Sequence, residues 1–385
     1  MKITGDWLHA PHLQSVFKLI AAGGFSAYLV GGSVRDAVLG RSVGDLDLAT
    51  DARPDQVIAL AKAADVRCVP TGLDHGTVTL VVQGVPHEIT SFRRDVETDG
   101  RHARVAFTDD IAEDARRRDF TMNALYAGAD GTVIDPLGGL ADALAGRVRF
   151  VEDAERRICE DYLRILRFFR FYAWFGGQDG IDAEGLAAAA RHQDGLDGIA
   201  RERVGQEMRK LLLASDPTPA IAAMQSSGIL ARILPGSDNS ALGLLVHLEG
   251  EYDVPPCAMR RLAALGGTSV PDQLRLSNAE AARLAMLRDA VGGEGGPGVF
   301  GYRHGYDMAR DVLLLRAALL ETPVPDGALA AAKEGAEASF PIKAADLMPT
   351  FTGPALGAEL KELESRWVAS GFTLSKNDLL KDVQR

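Results

Sequence analysis

Strand-forming segments in this chain are confined to the stretch from Ala27 to Phe150, and that confinement limits its architecture more than any other feature. Within it, short β-rich runs (Tyr28–Val30, Leu46–Leu48, Thr77–Val82, His87–Phe92 and Val133–Ile134) alternate with brief helical segments and Gly or Pro punctuation. Beyond Glu152 the strand signals nearly vanish. Ala- and Leu-rich segments with helical spacing follow, broken at Gly176-Gly177, at Pro235-Gly236 and in the Gly-rich run 292–298. With 385 residues, 46% of them hydrophobic, the chain can bury a sizeable core and form two or more domains. The reading is therefore α+β: a mixed-sheet head over residues 1–150, then an all-helical remainder.

The formal net charge of −11 argues at first against a nucleic-acid partner, because phosphate binding draws on clustered Lys and Arg. Arginine, however, is concentrated between Arg93 and Arg170 while the acids are spread along the chain, so a local positive groove is compatible with the total. Cys68, Cys159 and Cys257 lie far apart, without the paired spacing of a zinc site or a disulfide framework, and fit a reducing, cytoplasmic setting. Met1 to Phe17 lacks the apolar run and cleavage site of a signal peptide. The most apolar later segment, Leu163–Phe175, is interrupted by Arg164, Arg167 and Arg170, so no membrane partner is expected.

The chemistry starts at Tyr28-Leu-Val-Gly-Gly-Ser-Val-Arg-Asp36 and Gly44-Asp-Leu-Asp-Leu48. A buried strand running into Gly31-Gly32, with Ser33 as helix N-cap, presents backbone N–H groups where a phosphate can bind. In the next strand side chains alternate, so Asp45 and Asp47 share a face while Leu46 and Leu48 enter the core. Two carboxylates in one small volume repel unless cations join them, and oxygen-only ligation suits Mg²⁺ bridging substrate phosphates. An isolated Asp-x-Asp equally fits a strand edge bearing two solvated acids. Glu88, between apolar neighbours in a strand-like run, is the candidate third carboxylate; the alternative is an edge-strand charge facing water.

Leu29-Val-Gly-Gly-Ser-Val-Arg-Asp36 with Asp45-Leu-Asp47 resembles the signature of class II CCA-adding enzymes and bacterial poly(A) polymerases. Later segments resemble the same family in order: Arg117-Arg-Asp-Phe-Thr-Met-Asn-Ala124, Ile134-Asp-Pro-Leu-Gly-Gly139, Glu160-Asp-Tyr-Leu-Arg164 and the helical stretch Glu202–Leu212. Asp346-Leu-Met with Gly353-Pro-Ala-Leu-Gly357 resembles family C-termini more loosely. The resemblance implies a polymerase-β-like catalytic head over 1–150, a nucleotide-selecting helical neck over 151–215, and a helical body and tail over 216–385 that hold the tRNA acceptor arm. It further implies that Gly31, Gly32, Ser33 and Arg35 meet the triphosphate, that Arg117, Arg118, Asp119 and Asn123 contact triphosphate and ribose, and that Arg167 serves the same pocket.

Asp161 and Arg164, three apart on a helical segment, share a face and offer a protein-made base-pairing edge. Cytosine and adenine each present an amino donor to Asp161 and a ring nitrogen to Arg164, whereas uracil and guanine would turn a carbonyl toward the carboxylate. An ordinary intrahelical salt bridge is the plain alternative. Phe168, Phe169, Phe171 and Tyr172, interleaved with Arg167 and Arg170, read as core aromatics with arginines serving the pocket. The family's flexible loop should map to Arg93–Val105, with Ala103 where relatives often have Pro. The expected activity is addition of C, C and A from CTP and ATP to the tRNA 3′ end, with two Mg²⁺ ions on Asp45 and Asp47, Glu88 being the candidate third ligand, and release of pyrophosphate. Poly(A) polymerase and an A-adding-only enzyme are the rivals; a non-catalytic tRNA-binding protein would have lost the Asp45/Asp47 pair.

Overall fold

The computed structural model of the chain describes residues 1–99, 102–293 and 295–381, the side chains of 95–99 and 102–105 excepted. It divides into two compact units, residues 1–235 with 272–275, and residues 236–271 with 276–385. The stretches expected as head and neck both lie in the first unit.

The first unit is built on a seven-stranded sheet. Its strands are β1 (Ala27–Val30), β2 (Leu48–Thr50), β3 (Arg67–Gly72), β4 (Thr77–Val82), β5 (Val85–Ser91), β8 (Tyr126–Ala127) and β9 (Val133–Ile134), in the order β3-β4-β5-β2-β1-β8-β9. Only the β2–β5 pair is parallel, which makes the sheet mixed. Helix α1 (Pro11–Ala22) opens with Pro at its first turn and packs beside β1 and β4. Its buried residues Leu13, Val16, Phe17 and Ile20 recur at the 3–4 spacing that makes one apolar stripe. Helices α2 (Gly32–Val38) and α3 (Pro54–Ala63) complete the early head. Among the described residues no helix is long and apolar enough to cross a membrane.

The segment expected as a loop at Arg93–Val105 forms two strands, β6 (Arg93–Asp99) and β7 (His102–Phe107), paired antiparallel from Arg93↔Phe107 to Asp99↔His102. Polar composition hid the pairing, because a two-stranded ribbon needs no buried face of its own to satisfy its backbone. The tip of that expected loop, residues 100–101, lies outside the described residues, as do the side chains of Ala103 and its neighbours.

The rest of this unit is helical: α4 (Ile111–Arg116), α5 (Gly139–Ala145), α6 (Ala154–Glu160), α7 (Leu163–Phe175), α8 (Ala183–Arg191), α9 (Arg201–Leu212), α10 (Thr218–Ser226) and α11 (Ile229–Ile233). Phe168, Phe169 and Phe171 of α7 are core, as read from the sequence, whereas Tyr172, read the same way, is only half-buried. Phe120 and Phe150 from the head stack with Phe168 and Phe171, at ring-centroid distances of 4.9 Å for Phe120–Phe150 and Phe120–Phe171 and 5.3 Å for Phe150–Phe168. Offset and tilted rings at these separations favour one arrangement beyond the area they bury, so this cluster locks α7 to the sheet-bearing part. That contact decides where the arginines between the aromatics point.

The second unit is helical throughout its named elements. One of its centres is polar: Glu249 accepts from both Arg260 and Arg261, and Asp311 accepts from Arg260 and Arg283, with Glu249, Arg260, Arg261 and Asp311 all buried. Charges removed from water persist only when paired in this way. A separate apolar cluster gathers Ile342, Leu347, Leu363, Trp367 and Leu379.

Candidate active site

A cleft of about 470 Å³ in the first unit is walled by the turn from β1 into α2, by β2 and β5, by the segment Arg117–Asn123 and by α7. Gly31 makes the turn possible. Its φ of 73° is a conformation that side-chain-bearing residues rarely adopt, and Gly31, not Ser33, is the N-cap of α2. Ser33 is already inside the helix, buried, and its hydroxyl donates to the Val30 carbonyl at 3.3 Å. The sequence missed this because a Ser after two glycines offers the same local signal as a cap; the positive φ that Gly31 adopts freely places the cap two residues earlier.

The acidic wall differs from expectation in one respect. β2 begins at Leu48, because only Leu48–Thr50 have ladder partners on both sides, in β1 and in β5. Asp45 and Asp47 therefore precede the strand rather than lie within it, although the Asp47 carbonyl still accepts from Val30 N at 3.0 Å. Leu46 is half-buried and Leu48 buried. The parallel register sets Leu48 beside Ile89, so the preceding residues, Asp47 and Glu88, both line the cleft. Glu88 is exposed, not buried, and β5 is an interior strand of the sheet rather than an edge. Asp47 reaches solvent, yet the cleft walls strip part of its hydration. Its pKa is pushed up by that desolvation, then by Glu88 and by Asp45, with Arg118 opposing. Among the described residues none donates a hydrogen bond to Asp45, Asp47 or Glu88 side chains.

The basic wall is fixed by residues the sequence reading did not single out. Asp114, fully buried on α4, accepts from Arg117 Nε at 2.7 Å, from Arg118 Nη2 at 3.0 Å and from the Tyr126 hydroxyl at 2.7 Å. The same hydroxyl accepts from Arg118 Nε at 3.1 Å. Burial alone would raise the Asp114 pKa, but the two guanidiniums and the phenol outweigh it and hold the carboxyl below its ordinary value. Asp119 and Asn123 form a second buried chain. Asn123 donates to Asp119 at 3.0 Å and accepts from Arg35 Nη1 at 2.6 Å, while Arg167 grips the other Asp119 oxygen. Burial works against Asp119, yet Arg167, Asn123 and the Phe120 N–H together bring its pKa down to about 2. Arg35 also donates to Asp36 and lies 4.0 Å from the Phe175 ring centroid, so its guanidinium is largely committed to holding the site together. Glu207 on α9 holds Arg170 at 2.5 Å and stands 4.0 Å from Arg167.

Asp161 and Arg164 do not share a helical face. Asp161 is in extended conformation at the break between α6 and α7, and its side chain accepts from Leu163 N at 3.1 Å and from Arg203 at 2.7 Å. Arg164 donates to Glu160 and to the carbonyls of Arg157 and Arg117. The helical pattern runs through 160–164 in the sequence because both flanks are strong helix formers; the side chain of Asp161 satisfying a backbone N–H is the competing local interaction that interrupts it. In Ile134-Asp-Pro-Leu-Gly-Gly139 the structure supplies a mechanical reason for the motif. Asp135 accepts from Gly139 N and Leu140 N at the start of α5, and a Cβ on Gly139 would stand 1.9 Å from the Thr121 carbonyl oxygen.

The fold and this cleft are those of a nucleotidyltransferase head, and the comparisons with known proteins agree. A protein-family model described as "Poly A polymerase head domain" matches residues 27–149, and one described as "Probable RNA and SrmB- binding site of polymerase A" matches residues 180–240. The mitochondrial CCA tRNA nucleotidyltransferase 1 of Mus musculus is 32% identical over 402 residues, covering 98% of this chain and 93% of its own. The CCA-adding enzyme of Levilactobacillus brevis is 42% identical over 218 residues, 56% of this chain and 53% of its own. Among solved structures, the Bacillus stearothermophilus CCA-adding enzyme in complex with CTP superposes with a TM-score of 0.75 at 27% identity over 97% of this chain and 98% of that one. The chain belongs to the CCA tRNA nucleotidyltransferase family, whose members are RNA nucleotidyltransferases with a poly(A)-polymerase-type head.

Proposed function

We propose that this enzyme adds C, C and A, from CTP and ATP, to the 3′ end of tRNA without a nucleic-acid template. The observation that carries this reading is the division of labour inside one cleft: the carboxylates of Asp47 and Glu88 have no hydrogen-bond partner among the described residues, while Arg117, Arg118 and Arg167 on the facing wall are held in place by buried acids. Asp45 and Asp47, with Glu88, would hold two Mg²⁺ ions. The donor set fits: it is all oxygen, and the Asp47 carboxyl already feels the repulsion of its two neighbours. Among the described residues no three His, Cys, Asp or Glu side chains come together as a metal-holding group, so these carboxylates would supply only part of each ion's shell and substrate phosphates the rest. At that position Asp45, Asp47 and Glu88 would hold the ions, whose chemistry would be to lower the pKa of the RNA 3′-hydroxyl and to offset charge on the α-phosphate.

The chain's own groups then position the reactants. Gly31 and Gly32 let the backbone approach the departing phosphates; Arg117 and Arg118, pre-set by Asp114 and Tyr126, receive the triphosphate; Asn123 and Asp119 face the ribose. Because the guanidiniums are oriented before substrate arrives, little reorganisation is left for the reacting complex. Asp161 and Arg164 supply the base-reading edge once nucleotide draws them from Arg203 and Glu160. The helical segments after the head hold the acceptor arm of tRNA, and a reducing, cytoplasmic compartment is the proposed setting. The test is extension of tRNAs ending before C-C-A, after the first C and after C-C, with each labelled nucleotide alone and with CTP plus ATP. Addition of C, C and A followed by a stop is the expected outcome; long A tails on unrelated RNA, or A added only to the C-C end, would replace this reading by one of its rivals.

A further inference from the structure

Away from the nucleotide cleft, the first unit gathers a second set of reactive side chains where α6 meets the end of α8. Cys159, next to last in α6, is exposed and free of any disulfide. Its sulfur lies 3.7 Å from Nδ1 of His192, the residue that follows α8. Nε2 of the same imidazole is 3.3 Å from Glu155 Oε2, one turn earlier on α6, and Arg191 holds the other oxygen of that carboxylate. The Tyr162 ring packs against Gly195, where an added Cβ would stand 2.0 Å from Tyr162 Cδ1. A thiol, an imidazole and a carboxylate thus stand in series, the last two oriented by their neighbours, which is the arrangement a nucleophilic thiolate requires. None of these residues lines the nucleotide cleft.

We infer that Cys159 is an activated thiol, a modification site for small disulfides, and that its adduct slows nucleotide incorporation. His192 takes the thiol proton and Glu155 stabilises the imidazolium. The thiolate attacks one sulfur of the disulfide, a new S–S bond forms as the old one breaks, and the departing thiolate collects the proton from His192. The adduct's position explains its effect. Glu160, the next residue, holds Arg157 at 2.8 Å and Arg164 at 2.5 Å, and Asp161 follows at the α6–α7 break. A bulky group on the Cys159 sulfur competes with His192 for its place beside the thiol, and in our proposal this shifts the segment that presents Asp161 and Arg164. The reactivity stands independently of the proposed function, whereas the effect on incorporation rests on it.

The test treats the full chain with oxidised glutathione at neutral pH and follows adducts at each cysteine by peptide mass mapping. Half-buried Cys68 and Cys257 serve as internal references. Cys159 is expected to react about tenfold faster than either, and His192→Gln or Glu155→Gln, each with a wild-type melting curve, to slow it about tenfold. The glutathionylated enzyme should incorporate labelled CMP into tRNA more slowly than an identically treated Cys159→Ser variant, with dithiothreitol restoring the rate. Equal rates at the three cysteines, or no change in both folded variants, would overturn the activated site. Selective modification that leaves incorporation unchanged would overturn its link to the nucleotide site. Untreated protein inactive toward tRNA would count against the proposed function while the reactivity comparison still decides the thiol.

Discussion

The acids on the two walls of the cleft carry the same charge and serve opposite purposes. Asp114 and Asp119 are buried, heavily hydrogen-bonded and drawn below their ordinary pKa values by the arginines they hold. Asp47 and Glu88 reach solvent and accept no side-chain hydrogen bond from the described residues, and Asp47 is pushed the other way, up, by desolvation and by its acidic neighbours. Paired acids stabilise the fold and aim the cations. Unpaired acids destabilise it slightly and remain available to a ligand of opposite charge. The contrast teaches that a carboxylate's role is read from its partners: those satisfied within the protein are positioning groups, and those left open are the ones through which chemistry passes.

Breaking the open wall should have the largest effect on activity. Asp47→Ala is expected to lower CMP incorporation on the order of 10³-fold, about 4 kcal/mol in transition-state free energy. Its thermal midpoint should hold or rise, because a repulsive neighbour of Glu88 and Asp45 is gone. A loss of stability together with activity would place Asp47 among the structural acids and collapse the distinction. Next, Asp161→Ala should erode discrimination, raising UMP incorporation relative to CMP about 10²-fold, or ~3 kcal/mol, measured as the ratio of kcat/KM values. Unchanged discrimination would leave Asp161 as a helix-break residue held by Arg203.

On the paired wall the expected change is smaller and falls on binding. Tyr126→Phe removes one donor to Asp114 and one acceptor for Arg118 without altering packing. It should raise KM for CTP several-fold, about 1 kcal/mol, with kcat nearly constant; a fall in kcat alone would mean that the arginines act only in the transition state. The paired acids also have a pH signature. Asp119 titrates at about 2 in the fold against an ordinary 3.8, so its contribution to stability is complete above the ordinary value and is lost as pH falls toward 2. Asp119→Asn should therefore flatten the acid limb of the stability curve, followed by melting temperature against pH.

The smallest effect concerns a buried base. His87, stacked on His12 with ring nitrogens 3.0 Å apart, has its pKa lowered by burial and then by His12. Below its ordinary 6.5 the unfolded chain binds more protons than the folded one, so stability declines as pH drops from 6.5 until the depressed folded pKa is reached. Replacing both histidines by Phe should remove that slope below pH 6.5. An unchanged slope would assign it to other groups.

The sequence by itself determined the places of β1, β4, β5 and β9, the end of the sheet-bearing part near Phe150, the core role of Phe168, Phe169 and Phe171, and Gly31, Asp47, Glu88, Arg117 and Arg118 as candidates that line the cleft, but not β3 or β8. These follow from local periodicity, from the conformational freedom of glycine and from motifs whose members are close in the chain. It misplaced the start of α2, set Asp45 and Asp47 inside β2, read the β6–β7 ribbon as a loop and joined Asp161 to a helix. Each of those depends on a competition between local signals that only a long-range partner resolves: Gly31 N donating to Leu125 O, β2 bounded by β1 and β5, Asp161 claimed by Arg203. The sequence also gave no sign that Asp114, Tyr126 and Glu207 govern the arginines. A buried acid in a helix looks like any surface acid until its neighbours are known, because burial and pairing are properties of the packed chain. Tertiary structure alone decided which acids are spent on holding the site and which are left open to act in it.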